Sequence, residues 1–143
     1  MTILARFHAL NAGDRRAVVE ASALLAFIAV GLKVLPFTTV RVLLNRYAKA
    51  ISPAHEAEAP RLIWAVKTAA RRAPVRASCL TEALAADAML RRRGLECRLC
   101  LGVRTAGSPA GALHAHAWVE RQGSVILGDV ENLTDYAVLS TSL

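Results

Sequence analysis

The stretch "LHAHAWVERQGSVILGD", residues 113 to 129, constrains the fold more than any other part of the chain. Apolar and polar positions alternate along it. Leu113, Ala115, Ala117 and Val119 share one face of an extended chain, and His114, His116, Trp118 and Glu120 share the other. Gln122 and Gly123 break the pattern where a hairpin turn would, and "SVILGD" resumes it as the next strand. A two-residue loop sets Arg121 against Ser124, and counting outward from there puts His116 directly opposite Asp129. A four-residue loop keeps this register, whereas a three-residue loop shifts it by one. Directly opposed Cβ atoms lie about 4.5 to 5.5 Å apart. At that spacing a carboxylate accepts a hydrogen bond from an imidazole, fixes its tautomer and stabilises its protonated form.

A helix with both ends written in the sequence lies upstream. In "SCLTEALAADAMLRRRG", Ser78 is the expected N-cap, Cys79 falls in the first turn, Arg91 to Arg93 occupy the last turn and Gly94 stops the helix. "ECRLCLGVR" then alternates as a half-buried strand, with Cys97, Leu99, Leu101 and Val103 on one face and Glu96, Arg98 and Arg104 on the other. "TAGSPAGA", 105 to 112, reads as a loop. The first half reads as scaffold helices over about 14 to 33, capped by Asp14, about 39 to 50, after Pro36, and about 60 to 72, with Pro60 in the first turn. Leu62, Ile63, Val66, Ala69 and Ala70 form an apolar stripe on the last of these. The expected fold is therefore α+β, one domain over 1–143. Residues 1–72 form a helical portion and 73–143 a core in which a helix packs on a small antiparallel sheet.

The chain is long enough to bury a core of its own. Its three cysteines and the absence of a recognisable secretory signal argue for reduced thiols in a cytoplasm. A nucleophile is then sought at a helix start, where the positive end of the helix dipole favours a thiolate, and Cys79 is the cysteine so placed. The net charge of +7 admits nucleic acid, lipid headgroups or an acidic peptide as partner and does not choose among them. "ASALLAFIAVGL", Ala21 to Leu32, is shorter than the roughly 20 residues of a membrane span and is expected to be a buried helix, with a membrane-surface role as the alternative.

The order of "SCL", an alanine-rich helix ending "LRRRG", a strand ending "LGVR", and "HAHAWVE" resembles the lasso-peptide leader peptidases. These are transglutaminase-like cysteine proteases, related in layout to papain-like enzymes, that process microcin-type precursors. The likeness runs over most of the chain, as far as "DYAVL" near its end. It implies Cys79 as nucleophile, His116 as base and Asp129 as the orienting acid, with no cofactor. It also implies removal of the leader from a ribosomally made precursor peptide, ring closure by a separate ATP-dependent lasso cyclase, and delivery of the leader by a separate recognition protein. Neither nucleic acid nor a transmembrane span is part of that expectation. The backbone N–H of Cys79 is one expected oxyanion donor, and no Asn or Gln stands just upstream to supply the second.

Other constellations carry competing readings. Cys97 and Cys100 form a C-x-x-C, but on a strand residues three apart face opposite ways and do not chelate one ion. His114 and His116 share a face and would need Cys79, Cys100 or an acid to complete a zinc site. Taken alone, His114 is a cleft neighbour or a solvated residue, and Trp118 a cleft wall or packing under the helix; both are candidate substrate contacts. Arg71-Arg72 and Arg91 to Arg93 read as solvated helix ends that complement the dipole, or else as a docking surface for an acidic partner. Asp135 is the second candidate for the acid, although it is better placed to start a turn. Two other functions fit: an acyltransferase or transglutaminase on the same fold, and a basic, non-catalytic binding module.

Overall fold

A computed structural model of the chain describes residues 2–49, 51–104 and 111–140. Among them are the helices α1 (Ile3–His8), α2 (Ala12–Val34), α3 (Phe37–Tyr47), α4 (Glu58–Arg72) and α5 (Cys79–Arg92). The strands β1 (Arg98–Arg104), β2 (His114–Arg121), β3 (Ser124–Leu127) and β4 (Ala137–Ser140) follow, with a 3-10 turn at Leu133–Asp135 before β4. They form one antiparallel sheet in the order β3-β2-β1-β4. This is the expected α+β layout, with β4 and the short α1 in addition. Most of the predicted 105–112 loop lies outside the described residues.

α5 is the centre of the molecule. It packs on α2, α3 and α4 on one side and on β1 and β2 on the other. A helix enclosed in this way is apolar all round, and its neighbours come close only if its side chains are small. Ala83, Ala85, Ala86 and Ala88 meet that need, and each is fully buried together with Leu84, Met89 and Leu90. Its C-terminus is closed as the sequence predicts. Gly94 sits at φ +68, its amide donates to the Arg91 carbonyl at 2.9 Å, and the Leu95 amide donates to that of Leu90 at 3.0 Å.

Three helix starts come about two residues earlier than expected, that of α4 at Glu58 among them. α2 begins before Asp14: Asn11 is the cap, its Oδ1 accepting from the Asp14 amide at 2.8 Å while its Nδ2 donates to the Asp14 carboxylate at 2.8 Å. That reciprocal pair satisfies a free amide that Asp14 alone would leave open. α3 begins directly after Pro36 and ends at Tyr47 rather than near 50. α2 is also only half a core helix. Its Ala17, Val18, Ala21, Leu24, Leu25, Ile28 and Gly31 are buried, but Val19, Phe27, Val30 and Val34 are exposed. At 23 residues it is long and apolar enough to cross a membrane by length and composition, with 39% of its most apolar window buried.

The arginine run at the end of α5 is not a solvated cap. Arg91 donates to the buried Asp87 carboxylate at 2.8 Å and to Asn45 Oδ1 at 2.9 Å. Arg92 donates to the Tyr47 carbonyl at 2.7 Å and lies over that tyrosine's ring. Arg93 grips the Glu20 carboxylate at 2.5 and 2.9 Å. The run therefore fastens α5 to α2 and α3, because carboxylate, amide and carbonyl acceptors on those helices face it. Arg71 and Arg72, by contrast, are exposed.

Candidate active site

Cys79 is the first residue of α5. Ser78 caps the helix, its Oγ accepting from the Thr81 amide at 3.2 Å and lying 2.9 Å from the Thr81 hydroxyl. The cap satisfies the third amide of the first turn. Those of Cys79 and Leu80 have no acceptor inside the helix and belong to its positive end. A cleft of about 490 Å³ opens there, lined by Cys79, Arg76, Glu82, His116, Leu127 and Gly128 among others. Cys79 and His116, distant in sequence, thus border one cavity.

The His116 ring is fixed from three sides. Its Nε2 lies 2.6 Å from the Gly128 carbonyl. A carbonyl only accepts, so Nε2 carries the proton and the neutral ring keeps its lone pair on Nδ1. Trp118 stacks on the imidazole at 6.0 Å and 19° between planes, and Tyr136 closes on it at 5.6 Å. Both contacts depend on glycines. A Cβ on Gly102 would stand 2.9 Å from the Trp118 indole and 3.0 Å from Tyr136 Cβ, so the bare backbone of β1 is what admits the aromatic pair. Gly128 sits at φ +86, and a Cβ there would stand 2.8 Å from the Ala117 carbonyl.

A family model described as the transglutaminase-like superfamily matches residues 22–141. The chain belongs to the transglutaminase-like superfamily. No curated protein and no solved structure matches it. Membership carries cysteine-protease or acyltransferase-type activity. In chemical terms, either activity needs a sulfur nucleophile and a base to take its proton.

The transglutaminase-like chain does not form the expected pair of His116 with Asp129. The hairpin starts as predicted, with Arg121 against Ser124, Glu120 against Val125, and both turn residues, Gln122 and Gly123, at positive φ. A bulge then adds one residue to β3, so Val119 pairs with Leu127 instead of Ile126. From there the count moves by one. The Gly128 carbonyl meets the imidazole, and Asp129 is exposed with no hydrogen bond to a described residue. Asp135 closes the 3-10 turn and is exposed as well.

Neither expected substrate contact lines the cleft of the transglutaminase-like chain. His114 is exposed at the start of β2. Trp118 is 3% exposed and backs His116 on the sheet face turned away from α5, its Nε1 donating to Glu120 at 2.9 Å. Because Trp118 and Tyr136 cover that face, Cys100 is buried and β1 is enclosed on both sides rather than half-buried. Cys97 faces α5 instead, donating to Asp87 Oδ1 at 3.5 Å. Burial and the Asp87 carboxylate push the Cys97 thiol far up, and burial, with Glu120, also raises that of Cys100. Both are held as thiols. Among the described residues, no three His, Cys, Asp or Glu side chains are grouped to hold a metal ion.

Glu82 is the cleft residue that sequence reasoning missed, since its only signal is a place in the first turn of α5, three residues after Cys79. Burial raises its carboxyl, and Lys67 and Arg76 oppose that.

Proposed function

We propose that this chain is a cysteine peptidase that removes the leader from a ribosomally made lasso-peptide precursor in a reducing bacterial cytoplasm. A separate recognition protein delivers the leader, and a lasso cyclase takes the product. The observation that carries the reading is the cleft shared by Cys79 and His116, with Nε2 of the ring engaged at Gly128 and Nδ1 left to act as base.

The chemistry follows from these atoms. His116 Nδ1 takes the thiol proton of Cys79, and the thiolate adds to the scissile carbonyl. The amides of Cys79 and Leu80 stabilise the resulting oxyanion, Leu80 filling the place for which the sequence offers no side chain. Collapse breaks the C–N bond as His116 returns its proton to the leaving amine. Water, deprotonated by the same ring, then hydrolyses the thioester and restores the thiol. The family resemblance assigns Asp129 as the orienting acid, and the Gly128 carbonyl holds that place at Nε2 in the free chain.

A second reading, transfer of the acyl group to an amine, shares every step up to the thioester. Its support is Glu82, a carboxyl in the cleft that an incoming ammonium would meet. Product masses from the precursor, with and without added amines, separate the two.

The first test needs neither substrate nor partner. Iodoacetamide at neutral pH is expected to label Cys79 and spare Cys97 and Cys100. His116→Ala should slow the labelling of Cys79 by about tenfold or more, since the base is gone. Labelling indifferent to His116 would remove the pair on which the mechanism depends.

A further inference from the structure

A second concavity, of about 580 Å³, runs along the exposed side of α2 to the segment joining α4 to α5. Its floor is small and apolar, with Ala26 and Ala29 on α2, and its lips are Val30 and Val75, 61% and 71% exposed. Lys33, Arg72 and Arg76 line it and no carboxylate does. Neither Lys33 nor Arg72 is ion-paired with a described residue. The groove and the reaction cleft share a wall, Arg76, Ala77 and Ser78, the three residues immediately before Cys79. An occupant of the groove therefore lies against the segment that leads into Cys79.

From this continuity, and resting on the peptidase reading above, we propose that the groove seats an apolar stretch of the substrate peptide next to the scissile bond, with acidic residues of that stretch against Lys33 and Arg72. The apolar floor takes every second side chain of an extended peptide. The cations at its margin, with no counter-charge in the lining, select acidic over basic sequences. This accounts for two features that packing leaves unexplained: the exposure of Val30 on α2, and the presence of Lys33 and Arg72 without an ion-pair partner among the described residues.

The test uses a fluorescein-labelled hexapeptide of alternating leucine and glutamate, with Cys79→Ala protein so that nothing is cleaved. Anisotropy is expected to show saturable binding, weakened about tenfold or more by Ala29→Trp, which fills the groove from an exposed helix position. The double variant Lys33→Glu with Arg72→Glu should weaken it by a similar factor. The same peptide with lysine for glutamate should bind at least tenfold less well. Equal binding of the two peptides, or indifference to both variants, would overturn the assignment. So would decanoate binding in the groove where the acidic peptide does not, which would make it a lipid site.

A chloromethyl ketone of the acidic peptide, which alkylates Cys79 with loss of chloride, gives a second reading. Its rate relative to that of iodoacetamide should fall at least tenfold in Ala29→Trp. An unchanged ratio counts against the groove, whereas failure of the peptidase reading shows separately, as Cys79 labelling that ignores His116.

Discussion

His116 Nε2 and the Gly128 carbonyl lie 2.6 Å apart, and it is the one-residue bulge in β3 that brings them together. The base is thus held by a main-chain atom in the position where the uninterrupted hairpin would have put a carboxylate. This arrangement fixes the proton on Nε2 before any substrate arrives.

Nitrogen NMR of the His116 ring should therefore show the Nε2–H tautomer as the main neutral form. Gly128→Ala should redistribute it. At φ +86, with the Ala117 carbonyl 2.8 Å from the new Cβ, the chain cannot stay where it is. Such a substitution costs more than about 1 kcal/mol in stability as well. A Gly128→Ala protein with the wild-type tautomer ratio would mean that Trp118 and Tyr136 alone set the ring.

Gly102→Ala tests those two aromatics. The added methyl would stand 2.9 Å from the Trp118 indole, which has Cys100 and Tyr136 around it and His116 stacked upon it. Overpacking of this kind costs about 1–3 kcal/mol. The expected result is a lowered urea midpoint together with slower iodoacetamide labelling of Cys79, because displacing Trp118 moves the base. A stability loss with unchanged labelling would show that the stack supports the sheet and not the ring.

How far the sequence could be read follows from the same residues. The ends of α5, the alternation on β2, the two-residue turn and the candidacy of Cys79 and His116 all rest on local signals, and local signals are written where they act. The bulge was not legible. It is one residue, Ile126, inserted between Val125 and Leu127 of a short edge strand, and no local preference marks it. Tyr136 and the acceptors on α2 and α3 around Arg91 to Arg93 act across long separations, so periodicity says nothing of them. Gly102 did carry a signal of its own. A glycine inside a strand pattern marks a close approach, here that of Trp118.

Glu20 makes stability depend on acid. Burial raises its carboxyl, but hydrogen bonds from Arg93 and Tyr47 outweigh burial and leave it below its ordinary value of 4.5. Burial, with the same contact, pushes the Tyr47 phenol up to about 12. A carboxyl lowered by folding contributes stability that is fully present above its unfolded value and is lost as pH falls through the folded one. Urea midpoints should therefore decline below about pH 4.5 in the wild type, and the decline should be shallower in Glu20→Gln. At neutral pH that variant should be about 1–3 kcal/mol less stable, as for hydrogen bonds to a charged group. Parallel acid limbs for the two proteins would rule out Glu20 as the titrating group.

The two arginine runs should part company under charge reversal. Arg91→Glu leaves the buried Asp87 facing a like charge where it had a guanidinium at 2.8 Å, with Arg41 still 3.5 Å away on the other side. Breaking one side of a buried pair costs about 3–5 kcal/mol, a large share of the about 5–15 kcal/mol that holds an ordinary domain folded. Arg71→Glu removes an exposed charge and should change stability by no more than about 0.5 kcal/mol. A reading of the chain as a basic binding module makes Arg91 to Arg93 the contact surface, and so expects the Arg91→Glu protein to stay folded and lose only its partner. Thermal melts of the two variants decide between these accounts. An Arg91→Glu protein that melts like the wild type would return the second run to the list of binding surfaces, and a strongly destabilised one leaves the exposed cations near Cys79 as the charge available to a substrate.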